Sequence, residues 1–556
     1  MKPWVAVPFF KDANVSVRAD LLALAAVLII ALCVRFYSIT VPVIWYDEAY
    51  SLLLARETPA HIWTQTALDV HPPLYYVLLH YWVTVWGESA LAARAFSALA
   101  DVGTLLLCTK LMSLVSTRRA TWIAALLLAL LPISVRYSQE VRMYALLGFW
   151  LMGATVALVC WARHPGQKRF ALIYVLLMIA AFYTHYFAGL CVLVHWLFWW
   201  QSRVSANSAA IAPDRWLIAN CAVVFWYLPW IPSLIDQLSD TSNLGWIVPV
   251  TLRGALNLVW QFIVMGDGIS QTSIWHLVPF ALMLLCAAIA IVNKSIERRF
   301  SVLLVSYFFV PVIALYLIGF VIPLFVPRYL VFAAPGLAMI AAVSLDTLHQ
   351  RRPLWAKLVL MLLIVVQLSG LTEVYRQTDG MNGTGMRRDL RFSQLMMQLT
   401  QVTQPDDEIV MASIFWFPTF AYYSNTSISP KFEIRSSMDD FLRLSSRGVF
   451  SLINDPAASG YLDGVTVLDC RSQRIWWITD SYSSFDGPIF TRGRAPSLTL
   501  HGGDISAYLF TPESVPAPVR GGTHPVLTPP LSPAAQNCPP APSATSANRT
   551  RHSPHP

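Results

Sequence analysis

Eleven apolar runs divide the first two thirds of this sequence, near 19–37, 91–115, 120–135, 142–162, 170–184, 186–202, 216–233, 275–293, 300–322, 329–348 and 354–371. A membrane-crossing helix needs about 20 mostly apolar residues, because lipid offers the backbone no hydrogen-bond partners outside the helix itself. So many runs of that kind leave little choice but a polytopic membrane protein. Charged residues make up 13% of the chain, about half the ~25% of an average soluble domain, which excludes a single aqueous globule. The apolar content equally excludes disorder over most of the length. There are eight cysteines in 556 residues. Six of them (Cys33, Cys108, Cys160, Cys191, Cys221 and Cys286) lie inside apolar runs, so a secreted disulfide scaffold is excluded as well.

Charge sets the orientation. Residues 1–371 hold 24 Lys and Arg against 15 Asp and Glu, and the remainder holds 15 against 16. The basic excess belongs to the apolar part and reads as membrane orientation, not as a nucleic-acid surface. With the N-terminus inside, the inner segments carry sixteen basic residues, from Lys2, Lys11 and Arg18 through to Arg351, Arg352 and Lys357. The outer segments carry few, such as Arg56, Arg94, Arg136, Arg142, Arg253 and Arg328. The first run ends in Val34-Arg35-Phe36-Tyr37, without the small residues of a signal-peptide cleavage site, and is expected to remain as an anchor. The expected location is therefore a cell (inner or plasma) membrane, multi-pass, with a cytoplasmic N-terminus.

The expected fold is an all-α polytopic membrane unit over residues 1–371, with about eleven transmembrane helices plus interfacial helices near 48–56 and 72–86. The stretch 250–264 is a candidate third interfacial helix. From 372 to 512 the pattern changes to short β-rich runs (Glu408–Ser413, Gly448–Ile453, Gly464–Asp469, Arg474–Thr479 and Ile505–Phe510) and a helical stretch near 386–401. This reads as a small extracytoplasmic α/β domain. Residues 513–556 are rich in Pro, Ser, Thr and Ala and are expected to form a disordered tail, since such a composition cannot bury a core.

Four segments carry candidate chemistry. Trp45-Tyr46-Asp47-Glu48-Ala49-Tyr50-Ser51 places adjacent carboxylates just past the first run, where a low-dielectric neighbourhood makes ionised groups costly. They read as a general base or cation ligand, or as acids favoured at a helix start. Asp69-Val70-His71-Pro72-Pro73 holds a histidine at a rigid turn, suited to donate to a phosphate or shuttle a proton. Arg136-Tyr137-Ser138-Gln139-Glu140-Val141-Arg142 flanks an acid with two arginines. It reads as part of a polar site, or as a solvated loop whose charges pair with one another. Arg328, in Pro327-Arg328-Tyr329, suits an anion through its permanent, fork-shaped charge, or snorkels to headgroups. His185, in Thr184-His185-Tyr186, fits an aromatic belt or a sugar site. Topology sends all of these to one face. Carboxylates with an arginine and a histidine at a lipid surface suit activation of a hydroxyl while a lipid-linked phosphate is held. No zinc-spaced cysteines and no glycine-rich phosphate loop are present.

The ordered set Asp47-Glu48-Ala49-Tyr50, His71-Pro72-Pro73-Leu74-Tyr75-Tyr76, Tyr137-Ser138-Gln139-Glu140-Val141-Arg142-Met143-Tyr144, Pro327-Arg328-Tyr329-Leu330 and Ala334-Pro335-Gly336-Leu337-Ala338 resembles bacterial glycosyltransferases of the GT-C superfamily. It is most similar to the dolichyl-phosphate-mannose–protein mannosyltransferase-like group, which includes the lipid A aminoarabinose transferases. The resemblance covers about residues 20–350. It implies an inverting transfer of a sugar from a polyprenyl-phosphate donor to an extracytoplasmic protein, glycan or lipid, with no nucleotide sugar. It implies Asp47 as the base with Glu48 in support and Glu140 as a second acid. His71 and Arg328 fall at the donor phosphate. Tyr46, Tyr137, Arg142 and His185 become candidates for the acceptor or sugar site. His71 favours a hexose such as mannose, because the aminoarabinose transferases tend to carry lysine there. No resident cofactor is implied. Some superfamily members use a divalent metal and others do not, and the residues leave this open. The competing class is a non-catalytic transporter or flippase of polyprenyl-linked sugars, but such proteins favour repeat symmetry and midplane polar sites, which the sequence does not display.

Overall fold

The computed structural model describes residues 16–511, apart from 205–209, 240–246, 266–273, 380–386, 425–427, 434–460, 463–473 and 481–494. Seven helices are long and apolar enough to cross a membrane: Val17–Phe36, Ala90–Val115, Tyr144–Arg163, Pro213–Ser239, Ile274–Val292, Arg298–Ile318 and Pro353–Arg376. Two bent pairs bring the number to nine, Arg118–Ala129 with Pro132–Ser138 at 53° and Pro327–Ala333 with Pro335–Arg351 at 50°. The chain is a multi-pass membrane protein. The expectation of eleven spans rests on two more helices, Lys168–Phe182 and Ala188–Val204, of 15 and 17 residues. At ~1.5 Å per residue their described residues measure about 22–26 Å, against a ~30 Å hydrocarbon core. Length and composition therefore support seven to nine spans.

Burial separates the inside of the bundle from its rim. The apolar window of Tyr144–Arg163 is 78% buried, whereas those of Val17–Phe36 and Pro353–Arg376 are only 17% and 22% buried. The rim exposes Leu21, Leu22, Ile29, Leu358 and Leu362, a pattern that lipid accommodates and water does not.

The bend after Ala129 is built from buried polar groups. A helix end leaves its last carbonyls without intrahelical donors, and in lipid each one is costly. Gln367 Nε2 donates to the Leu127 carbonyl at 3.0 Å, and Arg35 donates to those of Leu128 and Ala129 at 3.4 and 2.9 Å. Arg35 is itself neutralised by Asp101 at 2.6 Å, and Asp101 also accepts from Ser134 at 2.8 Å. Pro132, at the start of the next segment, needs no donor partner there. The chain thus turns inward before residues 136–142.

The first long loop forms three helices: Tyr46–Ala55, Pro59–Ala67 and Leu74–Trp86. Pro59–Ala67 is a helix that the apolar pattern does not signal; Thr58 caps it by accepting from His61 N. The helix Tyr46–Ala55 buries seven of its ten residues, so it packs into the protein instead of resting on its surface. The 250–264 stretch forms Leu252–Leu256 and Leu258–Val264.

Beyond the last long helix lies a six-stranded sheet made of β1 Glu408–Met411, β2 Lys431–Glu433, β3 Tyr461–Leu462, β4 Ile475–Asp480, β5 Leu498–Gly502 and β6 Ile505–Phe510, in the order β3-β2-β1-β4-β6-β5. The first four are parallel, and β6 runs antiparallel to β4 and β5. β4 is buried along nearly its whole length and β6 alternates, as a central strand and a one-sided strand should. The helix Phe392–Val402 covers one face through Phe392, Leu395 and Leu399. Gly503, at φ +72°, closes the β5–β6 turn where a Cβ would strike the Asp389 carbonyl. The expected strands near 408, 474 and 505 are present, while Gly448–Ile453, Gly464–Asp469 and the tail lie outside the described residues. The sheet unit docks beside the first loop: Ile44 N donates to Tyr423 Oη at 2.9 Å and Tyr422 Oη to the Glu88 carbonyl at 3.2 Å.

Candidate active site

Asp47 and Glu48 open the helix Tyr46–Ala55. Neighbours on a helix point about 100° apart, so the two carboxylates face different surroundings. Asp47 Oδ2 lies 3.6 Å from Arg328 Nη1 and 3.7 Å from Arg142 Nε, beyond hydrogen-bonding distance. Its side chain keeps 16% exposure. Glu48 is fully engaged elsewhere. Arg94 Nε donates to its Oε1 at 2.8 Å and Arg94 Nη2 to its Oε2 at 2.6 Å, and Val141 N donates to Oε1 at 2.9 Å. Arg94 also donates to the carbonyls of Ile39, Pro42 and Val43. This buried hub ties the entry to the Asp47 helix to the segment holding Glu140 and Arg142. Glu48, expected as an acid in support of Asp47, has both oxygens held by Arg94 and Oε1 also by Val141 N. Breaking a buried pair by removing one partner typically costs about 3–5 kcal/mol. Arg94→Ala is therefore expected to lower the unfolding temperature in detergent sharply, whereas Asp47→Asn should leave it near wild type.

The stretch expected as an outer connecting loop is interior: residues 127–148 are buried throughout. Its charges are tolerated because they are paired. Glu140 accepts from Arg136 Nη1 at 2.8 Å and from Trp45 Nε1 at 3.0 Å. Burial raises the Glu140 carboxyl above its ordinary range, with Arg136 pulling it back down. Arg142 Nη1 reaches Tyr76 Oη at 3.3 Å and Ser51 Oγ at 3.4 Å. Arg328 enters from the turn Pro327–Ala333 and lies over the ring of Tyr329.

His71 sits across from this group. Its Nδ1 faces Asp69 Oδ2 at 3.4 Å. Burial pushes the imidazole below its ordinary value against the pull of Asp69, so the ring is neutral at neutral pH. Burial is the largest influence on Asp69 and pushes it up, but His71, the Val70 backbone donor and Arg142 together outweigh it and leave the carboxyl below its usual range. Leu74 N donates to the Tyr183 carbonyl at 2.9 Å, which brings His71 and His185 to ring centroids 5.4 Å apart. His185 Nδ1 accepts from Phe187 N at 3.2 Å. Burial holds this ring well below its ordinary value, so the neutral tautomer carries its proton on Nε2. That Nε2 has no hydrogen-bond partner among the described residues, nor have the hydroxyls of Tyr50, Tyr137 and Tyr144. Three of these four groups adjoin one another, since Tyr144 packs against Tyr137 and His185, and against Tyr329 as well.

Of the residues singled out in the sequence, the structure gathers Asp47, Arg142 and Arg328 directly. It joins Glu140 to them through Trp45, sets His71 beside His185, and turns Tyr46 against Phe415 at 5.5 Å. Among the described residues, no three of His, Cys, Asp and Glu are grouped to hold a metal ion.

No protein-family model matches the sequence, and no curated protein matches it significantly. Solved structures do. ArnT from Cupriavidus metallidurans bound to undecaprenyl phosphate superposes with a TM-score of 0.60, covering 89% of this chain and 98% of that one at 13% identity. The chain has an ArnT-like GT-C fold. ArnT in the apo state matches to the same extent. AglB, the archaeal oligosaccharyltransferase from Archaeoglobus fulgidus, gives a TM-score of 0.48 at 12% identity, over 74% of this chain and 64% of its own. The ArnT-like fold extends beyond the span of the sequence resemblance, since 89% coverage must take in part of the C-terminal sheet.

Proposed function

We propose that this protein is an integral membrane glycosyltransferase that moves a sugar, a hexose such as mannose, from a polyprenyl-phosphate donor to the hydroxyl of an extracytoplasmic protein, glycan or lipid. The carrying observation is Asp47, lodged between Arg142 and Arg328 at 3.7 and 3.6 Å. A donor phosphate entering there takes the two guanidiniums, and the carboxylate turns to the acceptor. The acceptor oxygen then bonds to the anomeric carbon, its proton passes to Asp47, and the carbon–oxygen bond to the phosphate breaks with its electron pair going to the phosphate. Arg328 and Arg142 neutralise that charge where hydrocarbon would make it costly. A single displacement of this kind inverts the anomeric centre. The undecaprenyl phosphate bound to ArnT supports a lipid-phosphate donor. His71, neutral and buried, supports the reading as a hydrogen-bonding group at the donor, not as a standing cation.

The test is transfer by the purified chain in lipid from synthetic polyprenyl-phosphate mannose, glucose and aminoarabinose. Turnover of none of them would sink the reading, and preference for aminoarabinose would overturn the hexose. The sixteen basic residues of the expected inner segments support a cytoplasmic N-terminus. A phosphatase reporter fused after Pro512 is accordingly expected to be active outside the cytoplasm; activity confined to the cytoplasm would reverse the orientation.

A further inference from the structure

The connector after the last long helix carries Asp379, which is completely buried. Asp379 Oδ2 accepts from Arg136 Nε at 2.7 Å, while Nη1 of the same guanidinium donates to Glu140 Oε2 at 2.8 Å. Asp379 Oδ1 accepts twice from Arg387, at 2.8 and 2.6 Å. On the other side, Glu140 Oε1 accepts from Trp45, which immediately precedes Tyr46 and Asp47. One chain of contacts therefore runs from the root of the C-terminal sheet unit to the start of the Asp47 helix. A cleft at that junction is lined by Trp45, Arg136, Glu140, Gln377 and Arg387.

We propose that Asp379 is a positioning residue: by competing with Glu140 for Arg136, it sets how much of that guanidinium Glu140 receives, and so couples the seating of the C-terminal unit to the candidate active site. This rests on the glycosyl-transfer reading only for its consequence in turnover. Both Arg387 donors go to Asp379 Oδ1, so the buried Oδ2 depends on Arg136, the same guanidinium that serves Glu140. Sharing Arg136 as well places the connector's charge one residue away from a carboxyl that burial has raised. The charged and titratable groups facing Glu140 are Arg136, Glu48, Asp47, Arg328, Arg94, Arg387 and Tyr137, with Asp379 behind Arg136.

The signs are opposite for two variants. Asp379→Asn releases Arg136 to Glu140 and leaves Arg387 uncompensated, and both changes favour ionised Glu140. Arg387→Gln gives Asp379 only Arg136, draws that guanidinium from Glu140 and favours the protonated form. The measurement is infrared titration of the Glu140 carboxyl band in the full-length protein in lipid, assigned by its disappearance in Glu140→Gln. Asp379→Asn is expected to move the midpoint down by about one pH unit and Arg387→Gln to move it up by a similar amount. Loss of packing alone has no reason to produce opposite shifts. Midpoints that move together, or not at all, overturn the proposal. If Asp379→Asn does not accumulate, Arg387→Gln decides alone, an upward shift supporting and any other result overturning it. In sugar transfer, kcat of Asp379→Asn should fall about 10²-fold, as for a misplaced site group, with donor KM little changed. A wild type that shows the titration but turns over no donor would overturn the transferase reading and leave this coupling standing.

Discussion

Asp47→Asn is expected to abolish sugar transfer almost completely, lowering turnover about 10²–10⁴-fold, the usual loss when a general base is removed. Asparagine keeps the size of the side chain and accepts hydrogen bonds, but it cannot take the acceptor proton at neutral pH. The geometry makes this a clean experiment. Asp47 forms no short hydrogen bond with either arginine, so its charge holds little of the fold together, and the variant should insert and melt like wild type. Donor binding should survive, since both guanidiniums remain. More than about a tenth of normal activity would mean that another group is the base, with Glu140 and the Asp69–His71 pair the next to test.

Arg328→Ala is expected to cost about 10²–10³-fold in kcat, the range seen when one preorganised group stabilising developing charge is removed. The lysine variant separates the explanations. Lysine retains the charge but loses the planar fork that meets two phosphate oxygens, so Arg328→Lys should restore only part of the rate. Headgroup snorkelling would let lysine substitute almost fully, but Arg328 is 9% exposed and stands against Asp47, a poor position for reaching headgroups. Near-normal transfer by Arg328→Ala would remove it from the site. Full recovery with lysine would replace two-pronged binding by a point charge.

The acids and arginines of the site were legible in the sequence because each lies at the end of an apolar run, where polar groups stand out. What they bind was not. Glu48 reads as an acid in support of Asp47, with nothing local to show that Arg94 holds both its oxygens, and Arg94, 46 positions away, reads as one more charge at a span edge. Asp379 meets Arg136 across 243 residues, and no local pattern predicts such a pair. The 136–144 stretch was open to a solvated reading because its composition is polar; only the internal pairing of its charges allows it to be buried. In the sheet, β1, β4 and β6 announce themselves by apolar runs or alternation. β2 and β3, with three residues and two, are too short to show any period. The helices Lys168–Phe182 and Ala188–Val204 are as apolar as their neighbours, and hydropathy alone does not register how few residues they have in helical form.

The unbroken burial of residues 127–148, with the packed rings of Tyr144, His185, Phe187 and Tyr329 beside it, bears on a side reaction that the proposed sugar transfer must avoid. A lipid-phosphate sugar held between two guanidiniums is primed for attack by any hydroxyl, and water is the most abundant one. Walls of interlocked aromatic side chains leave water few ways to approach the anomeric carbon. A true acceptor brings enough contact surface to occupy the recess itself. On the proposed function, protection of the donor against wasteful hydrolysis then falls to the packing around the site, distinct from the residues assigned to the transfer.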